Sequence, residues 1–264
     1  MKHFENTEKE EDFYIDPNWW KNRPPGISCY FRVKNEEEFI KPSILSVINY
    51  VDEVIIALQP SVDKTREIIE SIDSPKIKII DYPFELMPNG PGFKDQDNKS
   101  VHCKTYYYNW TLSKTKFDWA IKWDGDMVAL PSIKNYLKRQ VDRRFFGHEI
   151  VKIKKDGDWY LSRQHPESNA APSGLFKVHK ELEYMNADQT HVFNKPQGIK
   201  TPKQFLHFKW CKKHFDDIWK KDWKNIPKFK NLCNRAIPGP VYLGEKPEVL
   251  LPFITEDMGF ENNL

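Results

Sequence analysis

Short apolar runs alternate with helical periodicities through the first half of the chain. Ile27-Ser28-Cys29-Tyr30-Phe31-Arg32-Val33 reads as a first strand. Asn35 ahead of Glu36-Glu37-Glu38 suits a helix N-cap with acids in the first turn. Ile40, Ile44, Leu45 and Ile48 continue at helical spacing, and Pro42 argues for a start close to itself. Glu53-Val54-Ile55-Ile56-Ala57-Leu58 is nearly continuous in apolarity, as in a parallel strand covered on both faces. Asp63 can cap the next helix, whose inner face carries Ile68, Ile69 and Ile72, and Ile77-Lys78-Ile79-Ile80 reads as a third strand. Strand, helix, strand, helix, strand predicts an α/β domain with right-handed crossovers.

Residues 83–100 are rich in Pro, Gly, Asn and Asp and read as a long loop. A helix over about 101–113 leads into Trp119-Ala120-Ile121-Lys122-Trp123, which ends abruptly in Asp124-Gly125-Asp126. Beyond this point the pattern changes. Residues 149–153 and 159–161 flank Lys155-Asp156-Gly157-Asp158, a hairpin signal, and 174–178 reads as another strand. The Lys- and Trp-rich stretch 202–223 reads as a helix. The second half is therefore a mixed extension of the same sheet. The expected organisation is an N-terminal arm over 1–25 and one domain over 26–264. That domain divides into a first half over 26–130 and a second half, with the C-terminal helices, over 131–264.

Composition narrows the function. A net charge of +3, from 41 basic and 38 acidic residues, gives no global field for nucleic acid. Nine Trp, many near Lys or Arg, suit flat or ring-shaped polar ligands and equally an aromatic-rich core. Cys29, Cys103, Cys211 and Cys233 form no C-x-x-C pair. The first residues are polar and acidic, and no apolar run approaches the ~20 residues of a membrane span. The expectation is a cytoplasmic setting with free thiols.

The carboxylate pair is the candidate for chemistry. A strand that delivers two acids to a sheet edge supplies the hard oxygen ligands that Mn or Mg shares with substrate phosphates. A glycine between them lets a ligand approach the backbone. The plain alternative is a strand-to-turn junction, where Asp and Gly are ordinary. Arg32 and Lys104 are candidates to hold a phosphate group, since the planar fork of arginine matches phosphate oxygens.

The chain resembles the nucleotide-sugar glycosyltransferases of the family 2 type, which have the GT-A fold, a Rossmann-like and mostly parallel sheet flanked by helices. Arg32-Val33-Lys34-Asn35-Glu36-Glu37 is similar to the family's Arg-Asn-Glu-Glu opening. Residues 51–56 followed by Ser61-Val62-Asp63-Lys64-Thr65 look like its second strand and Ser-x-Asp-x-Thr loop. Asn109 stands near the place of a family Asn, and Asp124-Gly125-Asp126 would be the Asp-x-Asp motif. The likeness is good over about 27–130 and weak over about 170–210. The family's acid ahead of the Ser loop is missing, because Leu58-Gln59-Pro60 stands there.

The resemblance implies a metal-dependent, inverting transfer of a sugar from a nucleotide-sugar donor to a glycan, lipid-linked or small-molecule acceptor. It implies Asp126 as direct metal ligand and Asp124 at the ribose or at the metal through water. Asp63 and Gln59 would lie at the nucleotide, with a Gln59 amide in place of the missing acid. A late histidine, His207, would complete the metal shell. The general base would be Asp188 in Asn186-Ala187-Asp188-Gln189, where only the Asp of the family's Glu-Asp pair is present. Glu149, Asp158, Glu181 and Glu183 compete for that role.

Two further features have plain readings beside functional ones. On a helix, His207, Cys211 and His214 would share one face and could form a separate zinc site, although such groups more often pack. Lys220-Lys221-Asp222-Trp223-Lys224 and Lys228-Phe229-Lys230 suit an anionic acceptor or peripheral membrane contact, and otherwise a solvated helix face. The alternative to an enzyme is a carbohydrate- or nucleotide-sugar-binding protein of the same fold without turnover. A sugar nucleotidyltransferase is disfavoured, because no Gly-rich, Arg-bearing loop follows the first strand.

Overall fold

A computed structural model describes residues 10–87, 97–137, 144–153, 159–162, 173–184, 199–208, 211, 238–241, 244, 246–250 and 252. Four parallel strands form the centre: β1 (Ile27–Val33), β2 (Glu53–Leu58), β3 (Ile77–Asp81) and β4 (Trp119–Asp124), in the order β3-β2-β1-β4. They are joined by α1 (Ile40–Val47), α2 (Thr65–Glu70) and α3 (Lys104–Ser113). Pro42 sits in the first turn of α1, where a missing N–H costs nothing.

The short strand β5 (Met127–Ala129) follows the aspartates, and α4 (Lys134–Leu137) comes after it. The second half adds β6 (Arg144–Ile153), β7 (Trp159–Ser162), β8 (Gly174–Lys177), β9 (Ile199–His207) and β10 (Pro238–Val241). β8 runs antiparallel to β4, and β6 and β7 form the expected antiparallel hairpin. The α/β, GT-A-type architecture therefore holds, with a mostly parallel core and a mixed extension.

One prediction fails. Residues 202–223 do not begin as a helix, because 199–207 is the strand β9, inserted between β6 and β5. Pro202, which made a helix N-terminus plausible, falls in the register gap between Lys200 and Lys203, where no ladder hydrogen bond is needed. Residues 212–223 lie outside the described residues, as do Lys220–Lys230, Glu149's side chain and Asp158.

The central strands alternate by face, and this places the site. Cys29, Phe31, Val33, Ile121 and Trp123 pack with Ile40, Ile44 and Val47 of α1. Tyr30, Ile55 and Ala120 face the α3 side with Leu112, Phe176 and Tyr184. Arg32 and Asp124 are in-register partners on that second face, one step beyond the pair Tyr30 and Lys122.

The segment read as an arm packs onto the domain from residue 10 onward. Phe13 is buried among Tyr82, Phe84 and Trp110, with its ring centroid 4.7 Å from that of Phe84. Arg23 donates to the Phe117 carbonyl at 2.8 Å and to Thr115 Oγ1 at 3.1 Å. Gly26 then turns into β1 with φ +150°, where an added Cβ would lie 2.4 Å from the Phe117 ring.

Candidate active site

The carboxyl ends of β1, β2 and β4 meet at one edge, where open α/β sheets gather ligands. Asp124 closes β4 there. Ser43 Oγ of α1 donates to the Asp124 carbonyl at 3.0 Å, and Trp123 Nε1 donates to the Met127 carbonyl at 3.0 Å. These bonds fix both sides of the Gly125 turn. A Cβ on Gly125 would stand 2.9 Å from Glu36 Cγ, so glycine lets the β1–α1 loop pack directly against the aspartate turn.

The two aspartates have different partners. Asp124 Oδ1 accepts from Arg32 Nη2 at 3.3 Å, and Oδ2 accepts from Lys122 Nζ at 2.7 Å. Both cations are buried, at 6% and 7% side-chain exposure, while Asp124 is 29% exposed. Burial pushes the Asp124 carboxyl up, but Lys122 and Arg32 more than offset this and hold it below the usual carboxylate range. Burial pulls the Lys122 ammonium down to about 8, against the opposing pull of Asp124.

Asp126 is buried, and its Oδ1 lies 3.1 Å from His207 Nε2. Strand pairing delivers the histidine: β5 runs antiparallel to β9, with Met127 opposite His207. Phe208 N donates to the Asp126 carbonyl at 2.8 Å and locks this register. The separation of 3.1 Å is close to the roughly 3.0 Å between adjacent ligand atoms of an octahedral cation with bonds of about 2.1 Å. A carboxylate oxygen and an imidazole nitrogen at that spacing fit one Mn or Mg, with phosphate and water filling the other positions. No group of three or more His, Cys, Asp or Glu side chains converges on a metal position among the described residues. Any cation here must therefore take ligands from outside these side chains.

The guanidinium of Arg32 stacks on Tyr108, with Cζ 3.4 Å from the ring centroid, and lies 5.4 Å from that of Tyr184. Its Nε and Nη1 are buried and make no hydrogen bond among the described residues. Tyr30 and Tyr184 share a hydroxyl–hydroxyl bond of 2.6 Å. Burial raises the phenols of Tyr30, Tyr108 and Tyr184, so all three stay protonated around Arg32. Asn109 clamps the same corner: its Nδ2 donates to the Tyr184 carbonyl at 3.0 Å, and its Oδ1 accepts from Tyr184 N at 2.6 Å.

Other candidates take structural positions. Asp63 ties two loops together, because Oδ2 accepts from Glu37 N at 3.1 Å and Oδ1 from Thr65 N at 3.0 Å. Asn35, at φ 53°, joins the same clamp by accepting from Val62 N at 2.9 Å. Gln59 is buried, and its Nε2 donates to the Phe84 carbonyl at 3.2 Å, so its amide donor holds the loop after β3. Lys104 opens α3, one turn before Tyr108 and on the same helix face.

Asp188 lies outside the described residues, so its role remains a sequence expectation. The shared helix face for His207, Cys211 and His214 is ruled out, since His207 is on a strand. Cys211 is buried, its Sγ 3.5 Å from the Val151 carbonyl, and His214 lies outside the described residues. Sequence reasoning missed Lys122 as a partner of Asp124. The signal was its single charge in an otherwise apolar strand.

Residues 28–88 match the family model of Glycosyl transferase family 2. The resemblance read from the sequence is thus borne out from β1 through the loop after β3. No curated protein matches the chain. Among solved structures, the chain is similar to glucosyl-3-phosphoglycerate synthase from Mycobacterium tuberculosis, in complex with Mn2+, UDP and phosphoglyceric acid. The identity is 18%, with 55% of this chain and 49% of that one covered and a TM-score of 0.33. It is also similar to residues 1–349 of S. aureus TarS, at 14% identity, with 74% and 63% covered and a TM-score of 0.42. The chain therefore spans about half the length of the synthase. No helix among the described residues is long and apolar enough to cross a membrane.

Proposed function

We propose that this chain is a glycosyltransferase that moves a sugar from a nucleotide-sugar donor to a hydroxyl acceptor, with inversion and with one divalent cation, Mn or Mg. The observation that carries the reading is the Asp126–His207 pair, 3.1 Å apart at the carboxyl edge of the sheet beside Asp124. Asp126 and His207 would hold the cation. The cation would supply positive charge to the diphosphate as it leaves. Asp124, 29% exposed and anchored by Arg32 and Lys122, would accept a hydrogen bond from a hydroxyl of the donor. The charge of Arg32 adds to the field that draws an anionic donor to this edge.

The acceptor hydroxyl must lose a proton as the new bond forms, and Asp188 is the proposed base. The family 2 match over residues 28–88 supports a nucleotide-sugar donor. Acceptors of glycan, lipid-linked or small-molecule type all remain within this reading.

The test is turnover of a panel of UDP-, GDP- and CDP-sugars, followed by release of nucleoside diphosphate with and without Mn. Metal-dependent release from one donor is expected. Tight donor binding with no release, even with a broad panel of acceptors, would identify a binding protein of this fold instead.

A further inference from the structure

Three successive backbone amides of the β1–α1 loop are each taken by a side chain of Ser61-Val62-Asp63-Lys64-Thr65. Asn35 N donates to Ser61 Oγ at 3.1 Å, Glu36 N to Thr65 Oγ1 at 2.8 Å, and Glu37 N to Asp63 Oδ2 at 3.1 Å. Two bonds return: Val62 N donates to Asn35 Oδ1 at 2.9 Å, and Lys64 N to Glu37 Oε2 at 3.1 Å. The hydroxyl protons are committed elsewhere, that of Ser61 to the Gln59 carbonyl at 3.2 Å and that of Thr65 to Asp63 Oδ1 at 2.5 Å. Both hydroxyls therefore offer lone pairs to the loop. Five reciprocal bonds between two short loops exceed what capping α2 requires, because a helix start needs partners only for its own first amides.

The clasped loop reaches the aspartate turn by two routes. The Glu36 side chain packs over Gly125, with Cγ 2.9 Å from where a Cβ on that glycine would stand. The Glu36 carbonyl accepts from Phe39 N at 3.2 Å and from Ile40 N at 2.9 Å, and so starts α1. From α1, Ser43 Oγ donates to the Asp124 carbonyl at 3.0 Å. Ser46 Oγ donates to the Ser43 carbonyl at 2.7 Å and accepts from Ala129 N at 3.0 Å. Both serines are buried in a helix that otherwise packs through Ile40, Ile44 and Val47. Their hydroxyls hold the chain on either side of Asp124-Gly125-Asp126.

We propose that Ser61, Asp63 and Thr65 are positioning residues that act on the aspartate turn from a distance. They fix Asn35, Glu36 and Glu37, and through Glu36 and α1 they set the place of Asp124-Gly125-Asp126. They thereby govern donor binding without touching the donor, and this functional half rests on the glycosyltransferase reading of the site. Asp63, expected at the nucleotide from the family resemblance, then works one loop away from it.

The experiment compares wild type with Thr65→Val on the full chain. Valine keeps the shape of threonine and removes the acceptor of Glu36 N. Amide hydrogen exchange is followed without ligand, and UDP and GDP binding is followed by calorimetry in Mn. In Thr65→Val the amides of 126–130 are expected to exchange roughly three- to tenfold faster, the scale of one lost hydrogen bond. Those of α3, on the other face of the sheet, are expected to keep the wild-type rate, which separates this effect from a general loss of stability. Affinity for the nucleotide that wild type binds is expected to fall by a similar factor. Ser61→Ala, which frees Asn35 N, gives the same comparison if Thr65→Val does not fold. Faster exchange confined to 35–37 and 61–65, or unchanged nucleotide affinity, overturns this proposal. Nucleotide affinity lost with no change in exchange at 126–130 also overturns it, and assigns the motif to direct nucleotide contact. A wild-type chain that binds neither UDP nor GDP overturns the glycosyltransferase reading, while the exchange result still decides whether the clasp reaches the turn.

Discussion

Asp124 and Asp126 are separated by one glycine but have different partners. Asp124 is held ionised by Lys122 and Arg32, which outweigh the effect of burial. Its folded pKa therefore lies below the unfolded value of about 3.9. Such a carboxylate stabilises the fold above that value, and the contribution is lost as pH falls through the folded pKa. In metal-free buffer, Asp124→Asn should lose stability at neutral pH and show a flatter acid limb. Urea titrations from neutral pH to about pH 3 would check this. An acid limb identical to wild type would remove Asp124 from the account of acid stability. As the proposed base, Asp188 would act in the transfer step rather than in donor binding. Asp188→Asn is expected to keep nucleotide-sugar affinity and lose about a hundredfold or more in turnover. Near-normal turnover would pass the role to Glu181, Glu183, Glu149 or Asp158.

At the scale of elements, the site is assembled by pairings that differ in how openly the sequence declares them. β1, β2 and β4 were legible because each is a short apolar run with one polar end, and their bounds follow the apolar residues. β9 was not legible. Gln204, Phe205, Leu206 and His207 are all buried, which breaks the alternation of a half-buried strand and imitates a helix start after Pro202. The three-residue strand β5 was too short to carry a period, yet its pairing with β9 brings His207 to Asp126. The aspartates could thus be read from local pattern. The histidine came from family resemblance, with its surroundings expected to be helical. Asp63 and Gln59 came from the family resemblance as expected nucleotide contacts, and their use in tying loops to Glu37, Thr65 and Phe84 was not legible, since long-range pairing is invisible in one sequence. The Gly125 turn gives a prediction at this scale. Gly125→Ala places a Cβ 2.9 Å from Glu36 Cγ and should force the two loops apart. A cost of about 1–3 kcal/mol is expected, as for other overpacked sites. Thermal unfolding checks the stability, and Mn-dependent UDP binding checks the geometry.

At the scale of the whole molecule, the N-terminal segment belongs to the packing around the loop after β3. Phe13 packs on Phe84, and the Phe84 carbonyl accepts the Gln59 amide, so the segment buttresses the loop after β3 from outside. Phe13→Ala should destabilise the fold by about 3–5 kcal/mol, the scale for a truncated core aromatic. It should also weaken nucleotide binding more than it alters metal affinity, since it lies on the β2–β3 side and not beside Asp126. A loss of stability alone, with nucleotide affinity intact in the folded fraction, would confine the segment to a packing role.

We propose that Asp126 and His207 hold a divalent cation that carries the diphosphate of a sugar donor. The most direct measurement is calorimetry of UDP and GDP with wild type, Asp126→Ala and His207→Ala, each with Mn and with chelator. One nucleotide is expected to bind wild type only when Mn is present, to lose most of its affinity in Asp126→Ala, and to lose a smaller part in His207→Ala. Nucleotide binding of equal strength with chelator, or Mn-dependent binding that survives Asp126→Ala unchanged, would contradict the account.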